Sequence, residues 1–498
     1  MKRLNDEQRS PREPHESIAL NPGDLATFYA RVSEMSGRDR TLDLSTIRIG
    51  ERLLDDPVAA ISPGGAAPGE LILVCDGTEI LRDQEAVKPM VVAALQAAGT
   101  DCTVIMLAAS EGHELHTTPD QIVTVREHLR ADAPVVVLGS GTATDVTKHA
   151  VYEFERETGN RLSLTVIQTA NSVCAFTSGL AVVTTGGVKR TVPSRLPDRL
   201  VLDTTLLSQA PREYTLGGIG DASVAASSIA DYRLANMLDV GSWEPVAALV
   251  VAESKERLLR HDPALADPGV AGAEVLSLDL SACGLAMTFA GESAPLSGLE
   301  HVTSHMLDLG AEHFGRAIGN HGSQCGLATA LVLIAFEHLI ETVDVEALHF
   351  RSLSDGLDLE AEKATVRRTF GPIDSTGAAW RECWSDYRQK LEAWTAHAEA
   401  VSRFQRLWPS HRAELAGYLA KPEEFMAALA AAGHPLSFEE VTPGIPEEQA
   451  RWAFANARLM RKRISVADVL YFAGIWNDEF VAQIFERFHA IRQSINTK

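Results

Sequence analysis

The sequence has few cysteines, no long apolar run and less positive than negative charge. Its six cysteines are scattered without a Cys-x-x-Cys pair, which favours reduced thiols in a cytoplasmic protein over disulfides. No uninterrupted apolar run of about 18 residues appears, so we expect neither a transmembrane segment nor a membrane partner. The first residues also lack the apolar core of a signal peptide.

Basic residues are outnumbered by acidic ones, 45 against 67, and the formal net charge is −22. Nucleic acids and anionic membranes attract basic surfaces, so this charge argues against both as partners. A small anionic substrate stays possible where a few basic residues line its pocket. We expect a small-molecule substrate and a homo-oligomer.

Length and composition indicate a soluble globular protein of several domains, with 498 residues, 45% of them hydrophobic and 22% charged. Residues 1–22 are polar and proline-containing, which predicts a loose tail. Residues 23–210 alternate strand-like and helical patterns, whereas residues 211–498 show long helical patterns. We therefore predict an α/β domain followed by an α domain: a Rossmann-like parallel-sheet nucleotide domain at 23–210 and an all-helical metal-binding domain at 211–498.

Within the first domain, short apolar runs predict strands, and helical patterns separate them. The predicted strands are residues 70–77, 101–106, 135–138 and 162–167, the predicted helices are 87–98 and 120–131, and 181–192 predicts a hairpin around Gly186-Gly187. Residues 23–65 indicate a helix followed by irregular connections. Ligands of parallel sheets bind beyond the carboxyl ends of the strands, so Asp76 and residues 139–145 and 169–174 are expected at one edge.

The segment Gly139-Ser140-Gly141 predicts a tight turn between a strand and a helix. Glycine lets the backbone approach a ligand closely, and the free amides at a helix start attract phosphate. The third glycine of the common dinucleotide fingerprint is missing. The turn by itself therefore leaves open a nucleotide site or an ordinary strand-to-helix connection.

One aspartate and three histidines of the second half are candidates for a metal site. Asp221 precedes a predicted small-residue helix at 222–230, so helix capping is its plain alternative. His301 and His305 are four residues apart and share a helix face, and His321 stands at a helix start. Aspartate and imidazoles from separate helices are normal zinc ligands that leave a position for water or substrate. The alternative is surface or capping histidines, since the chain has 16.

Together these motifs resemble those of the sn-glycerol-1-phosphate dehydrogenases, within the iron-containing alcohol dehydrogenase and dehydroquinate synthase-like superfamily. The resemblance covers residues 45–495 or so and depends on the order and separation of its pieces. These pieces are residues 139–145, 169–172, 176–178, 218–221, 300–305 and 321–322, with 382–384 and 461–470 near the C-terminus.

The resemblance implies a dehydroquinate synthase-like fold with the active site between the nucleotide domain and the helical domain. It implies that Asp221, His301 and His321 bind the metal, usually zinc with iron or nickel as alternatives, and that His305 faces the substrate. The implied contacts of NAD or NADP are Gly139, Ser140, Gly141, Thr142, Ala143, Asp145, Thr169, Ser172 and Ser178. Asp76 follows the first predicted strand, where a carboxylate accepts from ribose hydroxyls and repels a 2′-phosphate, which favours NAD.

Two positions depart from the family's pattern. Cys174 stands where the family carries an aspartate that contacts substrate hydroxyls, and Val224-Ala225 stand where it usually has Gly-Lys. A thiol is a weak hydrogen-bond partner, and loss of a lysine removes a possible anchor for an anion. The changes fit either drift within the family or a changed substrate. Cys174 as an extra metal ligand or reactive thiol is a third possibility.

The sequence thus predicts a metal-dependent NAD(P) oxidoreductase that interconverts a small alcohol and a carbonyl compound, with a changed substrate. In such an enzyme the metal polarises the carbonyl and the cofactor supplies the hydride. The alternative is a dehydroquinate synthase-like cyclase or lyase that uses NAD transiently, which a lack of net NADH change distinguishes. A non-catalytic binding protein is a third hypothesis, and the intact Asp221, His301 and His321 argue against it.

Overall fold

A six-stranded parallel sheet forms the first half of the chain in the computed structural model, which describes residues 18–62, 64–108, 115–185, 188–311 and 313–497. The strands are β1 (Thr46–Gly50), β2 (Glu70–Asp76), β3 (Leu81–Arg82), β4 (Glu85–Ala86), β5 (Asp101–Leu107), β6 (Val135–Gly139), β7 (Leu164–Gln168), β8 (Leu180–Thr185), β9 (Val188–Pro193) and β10 (Arg199–Asp203). The sheet order is β1-β10-β7-β6-β2-β5, while β3-β4 and β8-β9 form separate antiparallel pairs.

Helices account for most of the remaining structure, and beyond β10 the described part of the chain has no further named strand. The helices are α1 (Leu25–Ser36), α2 (Pro57–Ile61), α3 (Val87–Ala97), α4 (Pro119–Arg126), α5 (Gly141–Thr158), α6 (Thr204–Ser208), α7 (Arg212–Ser223), α8 (Ser228–Met237), α9 (Pro245–Leu259), α10 (Pro263–Ala266), α11 (Val270–Ala290), α12 (Leu299–Ala311), α13 (His321–Glu341), α14 (Leu359–Phe370), α15 (Ala378–Ala396), α16 (Ala398–Arg406), α17 (Trp408–Tyr418), α18 (Pro422–Ala431), α19 (Glu447–Asn456), α20 (Val466–Phe472) and α21 (Asp478–Asn496).

The predicted architecture, a parallel-sheet half followed by a helical half, is confirmed. The sequence analysis missed β1 and β10, which pair in parallel at one side of the sheet, Thr46 opposite Arg199. Both are five residues long and carry an arginine, so their apolar runs are short.

The residues of the predicted Gly186-Gly187 turn and most of the predicted tail lie outside the described residues. The predicted domain boundary at residue 210 stays a prediction.

The sheet places its nucleotide-type crevice between β2 and β6. The chain leaves β2 for β5 on one side and then returns to β6 on the other, so the connection reverses direction there. Ligands of open α/β sheets bind at such a switch point, beyond the carboxyl ends of the strands. Asp76 ends β2 and Gly139 ends β6, and a Cβ atom at Gly139 would lie 3.8 Å from Asp76 Oδ2. The two predicted residues therefore border one crevice.

Alternate residues of β2 pack into two different hydrophobic cores. Leu71, Leu73 and Cys75 pack with α3 on one face of the sheet. Ile72 and Val74 face the other core, which continues into the helical half. A parallel sheet with both faces covered needs such continuous apolar strands, and this burial fixes the sheet beneath its loops.

Glycines let α7 and α13 cross with their backbones in contact. A Cβ atom at Gly322 would lie 1.9 Å from the Gly217 carbonyl oxygen, and one at Gly220 would lie 2.1 Å from the Gly322 carbonyl oxygen. Only residues without a Cβ fit at this distance. The prediction that Asp221 starts a helix at 222–230 is wrong, because α7 already contains Asp221 near its end.

Two helices, α11 and α13, are long and apolar enough to cross a bilayer by length and composition alone. Polar residues interrupt both, so the sequence shows no uninterrupted apolar run. Within the protein, 72% of the apolar stretch of α11 and 83% of that of α13 are buried. This burial is typical of the core helices of a globular protein.

We predict that Gly322→Ala destabilises the protein by about 1–3 kcal/mol or more, because the added methyl group must separate α7 from α13. The matched control is Gly417→Ala on α17, where a Cβ atom would meet no other atom within 4 Å. The control should stabilise the protein by up to about 1 kcal/mol, since alanine has a higher helix propensity than glycine. Urea unfolding followed by circular dichroism measures both, and equal midpoints for the two variants would contradict the tight crossing.

Candidate metal and nucleotide site

Four side chains from three helices bring their ligand-type atoms to one point. Asp221 comes from the end of α7, His301 from the first turn of α12, His321 from the first residue of α13 and Cys325 from one turn later. Their carboxylate, imidazole and thiol atoms all lie within 4.8 Å of one another. The structure thus brings together the three predicted metal ligands and adds a cysteine.

The separations of these atoms suit a tetrahedral metal ion. His301 Nε2 lies 3.4 Å and His321 Nε2 lies 3.9 Å from Asp221 Oδ1. Nitrogen and oxygen ligands at about 2.0–2.1 Å from a tetrahedral zinc ion would be about 3.3 Å apart. Asp221 and His301 are buried, whereas the His321 side chain is 26% exposed, so access to the site is on the His321 side. The residues therefore fit a divalent ion.

Asp221 and His301 are each oriented through the atom that does not face the cluster. Asp221 Oδ2 accepts a hydrogen bond of 2.8 Å from the backbone N–H of Cys174, in the loop beyond β7. His301 Nδ1 lies 3.2 Å from the buried Glu300 Oε1, which accepts its proton and leaves Nε2 free for a metal. Such carboxylate–histidine contacts fix the tautomer and orientation of metal ligands.

His321 is held in the same way by Ser304. The Ser304 hydroxyl lies 2.8 Å from His321 Nδ1 and 2.8 Å from Gln324 Oε1. Because the amide oxygen only accepts, Ser304 donates to Gln324 and accepts the proton of His321 Nδ1. His321 therefore also presents an unprotonated Nε2 to the cluster.

The titratable groups of the cluster shift one another's pKa values. Burial alone raises the pKa of Asp221, but the His301 and His321 imidazoles outweigh it and lower that pKa. Burial alone lowers the pKa of His301, but Cys325, Asp221 and Glu300 together raise it well above the ordinary value. The anionic partners thus favour a positive charge at the centre of the cluster, which a bound cation would supply.

His305 lies one turn beyond His301 on α12, beside the cluster. Its ring centre is 5.5 Å from that of His321, and its buried Nδ1 has no hydrogen-bond partner among the residues that the structure describes. Burial, followed by the positive charges of Arg461, His321 and Lys189, lowers the pKa of His305 well below its ordinary value. His305 is therefore a neutral imidazole with an unused polar atom, suited to contact a substrate.

The turn from β6 into α5 packs against the loop beyond β7. The Thr169 N–H donates to the Gly139 carbonyl oxygen at 3.3 Å, and a Cβ atom at Gly141 would lie 2.7 Å from Val173 Cγ2. The Ser140 side chain makes no capping hydrogen bond at the start of α5. The amides of this helix start are the groups that the predicted pyrophosphate contact requires.

The remaining predicted cofactor residues divide into accessible and scaffold positions. Thr142 and Ser172 are half-buried beside the turn, whereas Ala143 and Thr169 are buried. Asp145 Oδ2 accepts from the Val182 N–H at 2.9 Å, and Ser178 Oγ accepts from the Leu180 N–H at 3.2 Å. Asp145 and Ser178 thus hold the start of β8, and their cofactor contacts stay predictions.

The Asp76 carboxylate, which the sequence predicts to distinguish NAD from NADP, is already bound by other groups of the protein. Its Oδ1 accepts from Lys88 Nζ at 2.8 Å and from the Thr78 N–H at 2.9 Å. The lysine offsets the carboxylate charge, so repulsion of a 2′-phosphate is weaker than for a lone aspartate. The structure therefore adds no support to the preference for NAD over NADP.

The positions that depart from the family pattern are buried close to Asp221. Cys174 is buried within the hydrophobic core, and its sulfur is not among the clustered ligand atoms. Val224 and Ala225 are also buried, in a short 3-10 helix that follows α7. Cys174 contributes its backbone N–H to Asp221, which the sequence analysis did not foresee.

Cys325 is the clustered residue that the sequence analysis missed. The signal was present as His321-x-x-x-Cys325, because residues four apart on a helix share one face. Cys325 belongs to no Cys-x-x-Cys pair, so the sequence analysis did not interpret this spacing as part of a metal site. Only the approach of α7 and α12 to α13 shows that the shared face is the metal face.

We predict that Ser304→Ala lowers the affinity for zinc by about 10–100-fold, since loss of a contact that orients a metal ligand has that effect. The matched control is Ser281→Ala on α11, a buried serine whose hydroxyl donates at 2.7 Å to the Ser277 carbonyl of its own helix. Competition with a chromogenic chelator measures both affinities. A Ser304→Ala affinity equal to that of the control would contradict the orienting role.

Comparison with known proteins finds related sequences over about half of the chain and a related fold over most of its length. The sequence profile of the iron-containing alcohol dehydrogenase family matches residues 66–211. Glycerol-1-phosphate dehydrogenase [NAD(P)+] of Bacillus velezensis is 27% identical over 269 residues, which are 54% of this chain and 66% of the relative. The protein of the same name from Halalkalibacterium halodurans is 31% identical over 203 residues, 41% of this chain and 49% of the relative. The chain thus spans from about half to about two thirds of the length of these curated relatives.

Among solved structures, glycerol dehydrogenase from Schizosaccharomyces pombe superposes with a TM-score of 0.56 over 92% of both chains, at 14% identity. A probable glycerol dehydrogenase from Sinorhizobium meliloti superposes with a TM-score of 0.50 over 90% of this chain and 97% of that one, at 16% identity. At these identities the likeness concerns the fold alone. The chain therefore resembles the glycerol-1-phosphate dehydrogenases and the wider iron-containing alcohol dehydrogenase family, as its motifs indicated.

Proposed function

We propose that the protein is a metal-dependent NAD(P) oxidoreductase that interconverts a small anionic carbonyl compound and its alcohol. The observation that carries the proposal is the link between the two halves of the site. Asp221 of the metal cluster accepts from Cys174, and the loop that contains Cys174 packs on the Gly139–Gly141 turn. A cofactor on the turn and a substrate at the cluster would then be neighbours, as hydride transfer requires.

The chain's own residues supply orientation and charge. Asp221, His301 and His321 would hold a divalent ion, which when bound would polarise a carbonyl oxygen and stabilise the alkoxide that hydride transfer produces. His305 offers a neutral imidazole nitrogen to a substrate hydroxyl beside that position. Burial of Asp221 and His301 excludes water from the inner side of the cluster.

A phosphate or carboxylate on the substrate is supported by Arg461 and Lys189, two cations whose charges lower the pKa of His305. Arg461 donates from Nη2 to the Lys189 carbonyl oxygen at 2.7 Å, and the described part of the chain gives its guanidinium no salt bridge. Lys189 is held by Asp308 at 2.7 Å. Burial and the nearby Arg190 lower the pKa of Arg461, a cost that a bound anion would offset.

The substrate of the curated relatives, glycerol 1-phosphate by their name, meets the requirement for an anion. Cys174 argues that the rest of the substrate, apart from its anionic group, differs from glycerol 1-phosphate. An aspartate at this position would accept from substrate hydroxyls, whereas a buried thiol is apolar and a weak partner. We therefore propose a phosphorylated or otherwise anionic carbonyl substrate with fewer hydroxyl groups. Cytoplasmic location and a homo-oligomeric state remain predictions from the sequence.

The first test is NADH and NADPH oxidation by the zinc-loaded protein with dihydroxyacetone phosphate, beside the Cys174→Asp variant. We expect slow turnover by the wild type and faster turnover by the variant, because the restored carboxylate accepts from the substrate hydroxyl. Brisk wild-type turnover would show that the substrate is unchanged. Consumption of a carbonyl substrate without net NADH change would point to the cyclase alternative, and cofactor binding without turnover on a carbonyl panel would overturn the enzyme proposal.

A second test concerns the anion. Arg461→Gln should raise KM for the phosphorylated ketone at least about 10-fold, as expected for loss of a charge-assisted hydrogen bond. KM for unphosphorylated dihydroxyacetone should change little, which separates anion binding from damage to the fold. The matched control is Lys462→Gln, which removes an exposed positive charge from the next residue. Equal effects of Arg461→Gln on both ketones would contradict an anion subsite at Arg461.

A further inference from the structure

Cys325 differs from an ordinary buried cysteine in what its sulfur faces. It lies on α13 one turn after His321, and it is fully buried. Its Sγ is 3.7 Å from His321 Nε2, and it lies within 4.8 Å of the ligand atoms of Asp221 and His301 as well. A cysteine that only fills the core would face apolar neighbours. Cys325 faces the three atoms that the proposed metal site uses.

The distance between Cys325 and His321 is the one that a shared metal ion would impose. Zinc binds thiolate sulfur at about 2.3 Å and imidazole nitrogen at about 2.0–2.1 Å, so two such ligands at a tetrahedral angle are about 3.6 Å apart. The observed separation is 3.7 Å. The 3.4 Å separation between His301 Nε2 and Asp221 Oδ1 is also close to a tetrahedral one, whereas the 3.9 Å between His321 Nε2 and Asp221 Oδ1 is longer. Four ligand-type atoms thus lie within 4.8 Å of one another.

We propose that Cys325 is a fourth, thiolate ligand of the metal ion, which makes the set one aspartate, two histidines and one cysteine. This inference rests on the metal site of the proposed function. Two anionic ligands, Asp221 and Cys325, balance the charge of a divalent ion that is buried away from water. The set contains a soft sulfur donor, which favours zinc over iron or magnesium under comparable supply.

The fourth ligand also bears on substrate access. A catalytic zinc ion usually keeps three protein ligands and one open position, and it expands to five ligands on occasion. With Cys325 bound, a substrate oxygen would need a fifth position. The exposed His321 side chain marks the side on which the cluster opens. The metal would thus be held more tightly and be a weaker Lewis acid than with three ligands.

The test uses the full-length protein stripped of metal and titrated with Co²⁺. A thiolate bound to Co²⁺ gives an intense charge-transfer band in the near ultraviolet, which aspartate and histidine ligands do not give. We expect this band in the wild type, and its loss in Cys325→Ser with the Co²⁺ still bound. Zinc affinity of Cys325→Ser should fall more than about 10-fold, because loss of a direct ligand exceeds the usual effect of an outer contact.

Two cysteine variants serve as matched controls. Cys283→Ser removes a buried thiol of α11. Cys174→Ser removes the buried thiol of the residue whose backbone N–H donates to Asp221. Both should keep the charge-transfer band. A band that survives Cys325→Ser, or that disappears in Cys174→Ser instead, would overturn the assignment.

A measurement on the unaltered protein guards against a variant that fails to fold. The zinc X-ray absorption spectrum of the wild type should contain one sulfur neighbour at about 2.3 Å. A spectrum with only nitrogen and oxygen neighbours would refute the proposal while leaving the oxidoreductase function untouched. Conversely, sulfur ligation together with no NADH oxidation on any carbonyl substrate would retain the ligand and refute the proposed function.

Discussion

The direct backbone contact between α7 and α13 is the constraint on which the site depends. Gly217, Gly220 and Gly322 lack side chains at the crossing, so the two helices approach more closely than any other residue would allow. The crossing puts Asp221 at the end of α7 next to His321 at the start of α13. A third contact extends it, because a Cβ atom at Gly218 would lie 2.2 Å from the Asn171 carbonyl oxygen. The same helix is thereby pressed against the loop beyond β7.

From that crossing, one chain of polar groups runs from the proposed nucleotide side to the proposed substrate side. The Cys174 amide fixes Asp221, and Asp221 lies beside the His301 and His321 imidazoles. Ser304 then joins His321 to Gln324. Gln324 donates at 3.3 Å to Asp308, which pairs with Lys189 beside the substrate position. Each group has a defined donor or acceptor role, so the cluster is preorganised rather than assembled by a ligand.

The metal side and the substrate side of the site have changed to different degrees relative to the family pattern. The metal side keeps its aspartate and both histidines, with Glu300 and Ser304 behind them. On the proposed substrate side, a buried thiol stands where the family pattern has a carboxylate, and burial together with the charge of Arg461 lowers the pKa of His305. The negative charge that an aspartate would carry at position 174 is therefore absent. The proposed ligand Cys325 would add negative charge where the ion would be.

The sequence by itself determined the parallel sheet, four of its six strands and three of the four side chains in the candidate metal cluster. Apolar β-branched runs such as Val135–Leu138 are visible locally, and the four-residue spacing of His301 and His305 fixes a shared helix face. The tertiary structure alone decided which distant residues meet. The pairing of β1 with β10 joins segments some 150 residues apart, and short strands with an arginine carry too little local signal to predict it. Likewise, the helical state of Asp221 and the metal-facing position of Cys325 follow from the glycine crossing, because close packing between helices is a property of both partners and of neither sequence alone.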